Sequence, residues 1–60
     1  MWPANKKIRV MVVDDSILAR TMISNGLNAS PQIEVVATSF NAKDARAKVD
    51  QFKPDVMTLD

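Results

Sequence analysis

Three aspartates are placed where they could do chemistry together. Asp14 and Asp15 directly follow the β-branched run Ile8-Arg9-Val10-Met11-Val12-Val13. Asp60 directly follows a second such run, Val56-Met57-Thr58-Leu59. Clustered carboxylates repel one another and raise one another's proton affinity. A hard divalent cation offsets that repulsion, and Mg2+ binds through one or two carboxylates together with water and a substrate phosphate. The chain contains no histidine and no cysteine, and a donor set of carboxylates alone favours Mg2+ over zinc. An ionised aspartate is also a nucleophile that can attack phosphorus and give an acyl phosphate. A bound cation would then neutralise charge on the group in transfer. The same residues have plainer uses as well, because Asp-Asp-Ser after a strand also makes a turn and a helix cap.

Whether these aspartates meet depends on the elements that carry them. The near-continuous apolar run Ile8–Val13 predicts a strand buried on both faces, as in a parallel sheet. Asp14-Asp15-Ser16 offers cap residues for a helix over Ile17–Leu27. On its wheel Leu18, Ala19, Met22, Ile23, Gly26 and Leu27 share one half, and Arg20, Thr21, Ser24 and Asn25 take the other. Arg20 reads as a solvated helix position. Asn28-Ala29-Ser30-Pro31 is the stop and turn. Ile33-Glu34-Val35-Val36-Ala37-Thr38 predicts a second strand, with Thr38 and Ser39 as hydrogen bonders at its end. Asn41 caps a second helix, with Asp44 three positions later in a capping-box-like arrangement. Ala42, Ala45, Val49 and Phe52 form its apolar stripe, and Lys43, Asp44, Arg46, Lys48, Asp50 and Gln51 point elsewhere. Lys53-Pro54 ends it, and Val56–Leu59 is the third strand.

Strands that alternate with helices imply right-handed crossovers and a parallel sheet. The expected fold class is α/β, a βαβαβ unit with strand order 2-1-3. In that order the first and third strands lie about 4.8 Å apart, with their carboxyl ends at the switch point where ligands gather. The path then brings together carboxylates from opposite ends of the chain. A doubly wound sheet needs further elements to cover its faces, so the sequence reads as a truncated fold, with residues 1–7 as an N-terminal arm and 8–60 as the folded part.

Composition removes several function classes. Eight basic and seven acidic residues give a net charge of +1, which lacks the clustered basic face of a nucleic-acid binder. The longest apolar run, Val10–Val13, is far too short to cross a bilayer. The start Met1-Trp2-Pro3-Ala4-Asn5 has no apolar core of a signal peptide. Absence of cysteine fits a cytoplasmic location. The only glycine, Gly26, falls inside a helix, so there is no Gly-rich phosphate loop. The methionines read as core fillers.

The residues resemble a known family. Val12-Val13-Asp14-Asp15-Ser16 is similar to the start of the receiver domains of two-component response regulators, and Lys53-Pro54-Asp55-Val56-Met57-Thr58-Leu59-Asp60 is similar to the strand that presents their phosphorylated aspartate. Asp14-Asp15-Ser16 with Arg20, Ile33–Thr38, Asn41-Ala42-Lys43-Asp44-Ala45-Arg46 and Asp55–Asp60 resemble most the receiver of the chemotaxis protein-glutamate methylesterase (CheB-type) family. The resemblance covers Ile8 to Asp60 and implies the first half of a flavodoxin-like (CheY-like) doubly wound sheet. It implies that Asp60 is the phospho-acceptor, that Asp15 ligates Mg2+ directly, and that Asp14 acts through water or orients the site. It implies a sensor histidine kinase as phosphoryl donor and methylesterase output in a parent protein. Receivers also place a metal-binding carbonyl, a hydroxyl residue, a lysine and a switch aromatic after the acceptor, and these positions lie beyond Asp60. Residues 1–60 alone are therefore expected to bind Mg2+ weakly and to be phosphorylated poorly. The sequence alone leaves a second reading, a half-domain that self-associates through its exposed third strand. A third, an aspartate-nucleophile phosphohydrolase, fits less well. That class resembles Asp-x-Asp after the first strand, where this chain has adjacent aspartates.

Overall fold

A computed structural model describes residues 5–59 of the chain, and Asp60 lies outside the described residues. The element order is β1 (Ile8–Val13), α1 (Ile17–Asn28), β2 (Ile33–Ser39), α2 (Ala42–Phe52) and β3 (Val56–Leu59). The three strands form one sheet in the order β2-β1-β3, and both pairings are parallel. This is the strand order of a flavodoxin-like fold, as the alternating pattern predicts.

β1 is central because its sequence tolerates burial on both faces. Val10, Met11, Val12 and Val13 are all buried, Met11 and Val12 completely. Met11 and Val13 pack with Ala45, Ala37 and Val49 beneath α2. Successive strand side chains alternate between faces, so Val10 and Val12 belong to the face that α1 covers. β1 runs beside β2 from Ile8↔Ile33 to Val13↔Ser39, with an irregularity between Val10 and Met11. Beside β3 it runs from Val10↔Val56 to Val13↔Leu59.

The start of β3 is tied to β1 by a short set of bonds. The Asp55 N–H donates to the Arg9 carbonyl at 2.7 Å. The Arg9 N–H donates back to Asp55 Oδ2 at 2.9 Å, and Arg9 Nη1 donates to the Lys53 carbonyl at 3.0 Å. Lys53 sits in the left-handed region with φ 48°, a conformation that ends a helix. Pro54 then forbids its continuation.

Both helices start where the cap residues predict. Ser16 Oγ accepts from the Ala19 N–H at 3.2 Å, and Asn41 Oδ1 accepts from the Asp44 N–H at 2.8 Å. The facing of α1 differs from its wheel. Ala19, Arg20, Ile23, Ser24 and Leu27 are half-buried, whereas Leu18 and Met22 are 69% and 65% exposed. The apolar arc is wider than the sheet beneath it. α1 leans chiefly on β2 and less on β1, so one flank of the arc stays in water. α2 keeps its predicted stripe in part, with Ala45 buried, Val49 and Phe52 half-buried, and Ala42 exposed.

Gly26 is exposed in the body of α1, and no atom would meet an added Cβ within 4 Å. Gly26→Ala is therefore expected to stabilise the fold by about 0.5–1 kcal/mol. Thermal unfolding followed by circular dichroism should show Tm raised by several degrees. An unchanged or lower Tm would contradict this account of α1.

Candidate acidic site at the carboxyl ends of β1 and β3

Asp14 stands at the last turn of β1 and is buried to 3% exposure. Its N–H donates to the Ser39 carbonyl at 3.0 Å, which carries the β1–β2 pairing one residue beyond the strand. Its Oδ1 accepts from the Ser16 N–H at 2.9 Å. That bond closes an Asx turn and fixes the carboxylate against the first turn of α1. Asp15, the next residue, is exposed. One loop thus presents an oriented, buried carboxylate and a solvent-facing one.

Arg20 is not the solvated position its place on the wheel suggests. Its Nη1 donates to the Asp14 carbonyl at 2.7 Å, and the residue is half-buried. Helical side chains lean toward the helix N-terminus. From α1 the guanidinium therefore reaches back over one turn to the loop that carries the aspartates. The sequence signal for this role was available, namely a long cationic side chain one turn inside a helix that opens on an acidic loop.

A second polar cluster braces the neighbouring strand end. Ser39, at the end of β2, is 1% exposed. Its hydroxyl lies 2.7 Å from Asp44 Oδ2 and 3.0 Å from the Asn41 carbonyl. A hydroxyl carries one proton, and the shorter contact, to a carboxylate, is the stronger acceptor. Lys48 Nζ lies 3.0 Å from the same Asp44 oxygen and donates to the Thr38 carbonyl at 2.7 Å. The expected end-of-strand role for Ser39 is realised. One other expectation needs correction. The Asp44 side chain turns to Ser39 and Lys48, so the capping box forms in one direction only. Lys48 is half-buried because its flexible stem lets the ammonium reach an unpaired strand carbonyl.

β3 ends beside β1 with Leu59 paired to Val13. Asp60, the candidate phospho-acceptor and third carboxylate, lies outside the described residues. Among the described residues no group of three acidic, histidine or cysteine side chains comes together. Asp14 and Asp15 make a pair of oxygen donors on one loop. That donor set matches the preference of Mg2+ for carboxylate and water. Also among the described residues, no helix is long and apolar enough to cross a membrane.

Hydrogen bonding from Ser39 and then from Lys48 holds the Asp44 carboxyl below its ordinary value of 3.8. The unfolded chain therefore binds a proton at Asp44 more readily than the folded one. That contribution to stability is complete above the unfolded value and is lost as pH falls through the lower folded value. Asp44→Asn should flatten the acid limb of a stability-against-pH curve below about pH 4. An acid limb unchanged by Asp44→Asn would show that this cluster does not carry the dependence.

Curated proteins include relatives of this chain. It is 54% identical over 54 residues to the protein-glutamate methylesterase/protein-glutamine glutaminase of Hydrogenovibrio crunogenus, a match to 90% of this chain and 14% of that protein. To the protein of the same name from Syntrophotalea carbinolica it is 53% identical over 55 residues, 92% of the chain and 16% of the relative. To that from Bacillus subtilis it is 53% identical over 53 residues, 88% of the chain and 15% of the relative. No family model matches the chain. The chain spans about one-seventh of the length of these relatives.

Proposed function

This chain is related over nearly all of its length to the protein-glutamate methylesterases, and from that premise we propose that it is receiver sequence of a two-component phosphorelay in chemotaxis. Asp60 accepts a phosphoryl group from a sensor histidine kinase, in the cytoplasm, and the phosphorylated state regulates methylesterase output in a longer parent protein. Asp14, Asp15 and Asp60 hold Mg2+. When bound, the cation supplies charge neutralisation for the carboxylates and for the group in transfer.

The supporting observation is the parallel pairing of Val13 with Leu59. Asp14 is the residue after the first, and Asp60 is the residue after the second. Two acidic termini leave neighbouring strands at the same end of the sheet, where open α/β sheets bind ligands. The remaining roles follow from the chain's own bonds. The Ser16 N–H holds one Asp14 oxygen and sets the direction of the other. Arg20 holds the Asp14 carbonyl and so limits the freedom of the Asp15 loop. Asp15 offers an exposed carboxylate as a direct ligand. Asp60 contributes the attacking oxygen. A P–O bond forms as the P–N bond of the donor's phosphohistidine breaks, and the electron pair returns to the ring, which leaves as neutral imidazole because its other nitrogen already carries the proton.

The test uses the 60-residue chain with Mn2+ as a paramagnetic probe that shares the preference for oxygen donors. Amide signals of Asp14, Asp15, Ser16, Leu59 and Asp60 should broaden first, and Asp15→Asn should weaken the effect about tenfold or more. Labelling with acetyl phosphate should be slight, should fall on Asp60, and should vanish in Asp60→Asn. Broadening centred on Glu34 or Asp50, or label on another residue, would refute the assignment.

A further inference from the structure

β2 stands on the side of β1 away from β3. The flavodoxin-like order extends past β3, as 2-1-3-4-5. β2 is therefore an outermost strand here and in any longer chain that completes this order. An outermost strand offers its outward N–H and C=O groups to any extended segment that meets it. β2 is Ile33-Glu34-Val35-Val36-Ala37-Thr38-Ser39, and its β-branched residues favour such pairing.

Which groups face outward follows from the bonds to β1. The carbonyls of Gln32 and Ser39 accept from the N–H groups of Ile8 and Asp14 and so face β1. Successive residues of a strand turn their backbone groups to opposite sides. Ile33 and Val35 therefore face away from β1, and so does Thr38 beside Ser39. Between them the register passes from Val10↔Val35 to Met11↔Ala37. Val36 is the extra residue of a bulge, and it sets the outward positions of Val35 and Thr38 three residues apart instead of two.

Each of the three outward residues already has a partner within the chain. The Ile33 N–H donates to the Ser30 carbonyl at 3.2 Å. The Val35 N–H donates to Asn28 Oδ1 at 2.9 Å. The Thr38 carbonyl accepts from Lys48 Nζ at 2.7 Å. Asn28 is the last residue of α1 and Lys48 belongs to α2. The two helices cover opposite faces of the sheet, so one side chain reaches the edge of β2 from each face. Asp44 steadies the second of them, with its Oδ2 at 3.0 Å from the same ammonium.

We propose that Asn28 and Lys48 are edge guards, which close the outer edge of β2 against the addition of another strand. A guest strand needs free N–H and C=O groups at a regular spacing of two residues. Here the outward donors of Ile33 and Val35 are taken, the outward acceptor of Thr38 is taken, and the bulge at Val36 breaks the spacing. The exposed Glu34 adds a charge to the same strand. A guest would have to displace the Asn28 and Lys48 side chains before it gained a bond, and would leave the ammonium without its carbonyl.

Two measurements on the isotopically labelled 60-residue chain test this. In the first, amide exchange at Val35 should be slow although the residue lies on an outer edge. Asn28→Ala removes the acceptor and should speed that exchange about tenfold, whereas Asn28→Asp keeps an acceptor oxygen in place and should restore the slow rate. In the second, the probe is a synthetic peptide with the sequence of Ile33–Ser39. The double variant Asn28→Ala, Lys48→Met should bind it with shifts of the Val35 and Thr38 amide signals, and the unaltered chain about tenfold or more weakly at those residues. Reading Val35 and Thr38 keeps binding at any other surface out of the result, and the exchange measurement stands by itself if the double variant loses its fold. Val35 exchange that is equal in the unaltered chain and Asn28→Ala would overturn the proposal. Peptide shifts at Val35 and Thr38 that are as strong with both guards intact would overturn it equally.

Discussion

β1 is hydrogen-bonded on both sides and apolar on both faces, and most of what this chain can do depends on that arrangement. A strand whose four residues Val10 to Val13 are all buried has nowhere to go but the middle of a sheet. Right-handed crossovers then send α1 to one face and α2 to the other and place β2 and β3 on either side. The polar residue that must follow such a strand is Asp14. Itself still buried, it stands at the end where both neighbours also end, so the acidic loop and the end of β3 share one end of the sheet.

The acidic loop is held from three directions. Ser39 of β2 accepts the Asp14 N–H, Ser16 donates to its carboxylate, and Arg20 donates to its carbonyl. Each bond uses a backbone group or a carboxylate that burial would otherwise leave unsatisfied, at a cost of about 1–3 kcal/mol. At the other end of β3, Arg9 and Asp55 tie the strand's entry to β1. Register errors in a strand are whole-residue steps that turn every side chain to the opposite face. A bond at the entry therefore governs what arrives at the exit.

The parts of the structure that sequence made legible are those with one dominant local cause. Continuous apolar β-branched residues gave β1. Ser16 and Asn41 marked helix starts, Pro54 marked an end, and the alternation of elements gave the order 2-1-3. The parts that stayed hidden depend on tertiary competition. The wheel of α1 shows a broad apolar arc, and only the narrow sheet decides that Ala19, Ile23 and Leu27 face inward while Leu18 and Met22 stay in water. Arg20 looks like a solvated helix position until the carbonyl of Asp14 appears within reach of its long stem. Asp44 suits a reciprocal cap by spacing, yet the buried hydroxyl of Ser39 offers it a better partner. For the acidic site, sequence located Asp14 and Asp15 on one loop and, through the order 2-1-3, set the end of β3 beside it, as the Val13–Leu59 pairing shows.

The central claim is that β3 lies parallel to β1 and in register to its last residue. Nuclear Overhauser contacts in the isotopically labelled chain measure this directly. Val10–Val56 and Val13–Leu59 cross-strand contacts should both be present, with the contact order of parallel strands. Their absence, or an antiparallel pattern between the two segments within one chain, would remove the shared edge on which the proposed site rests.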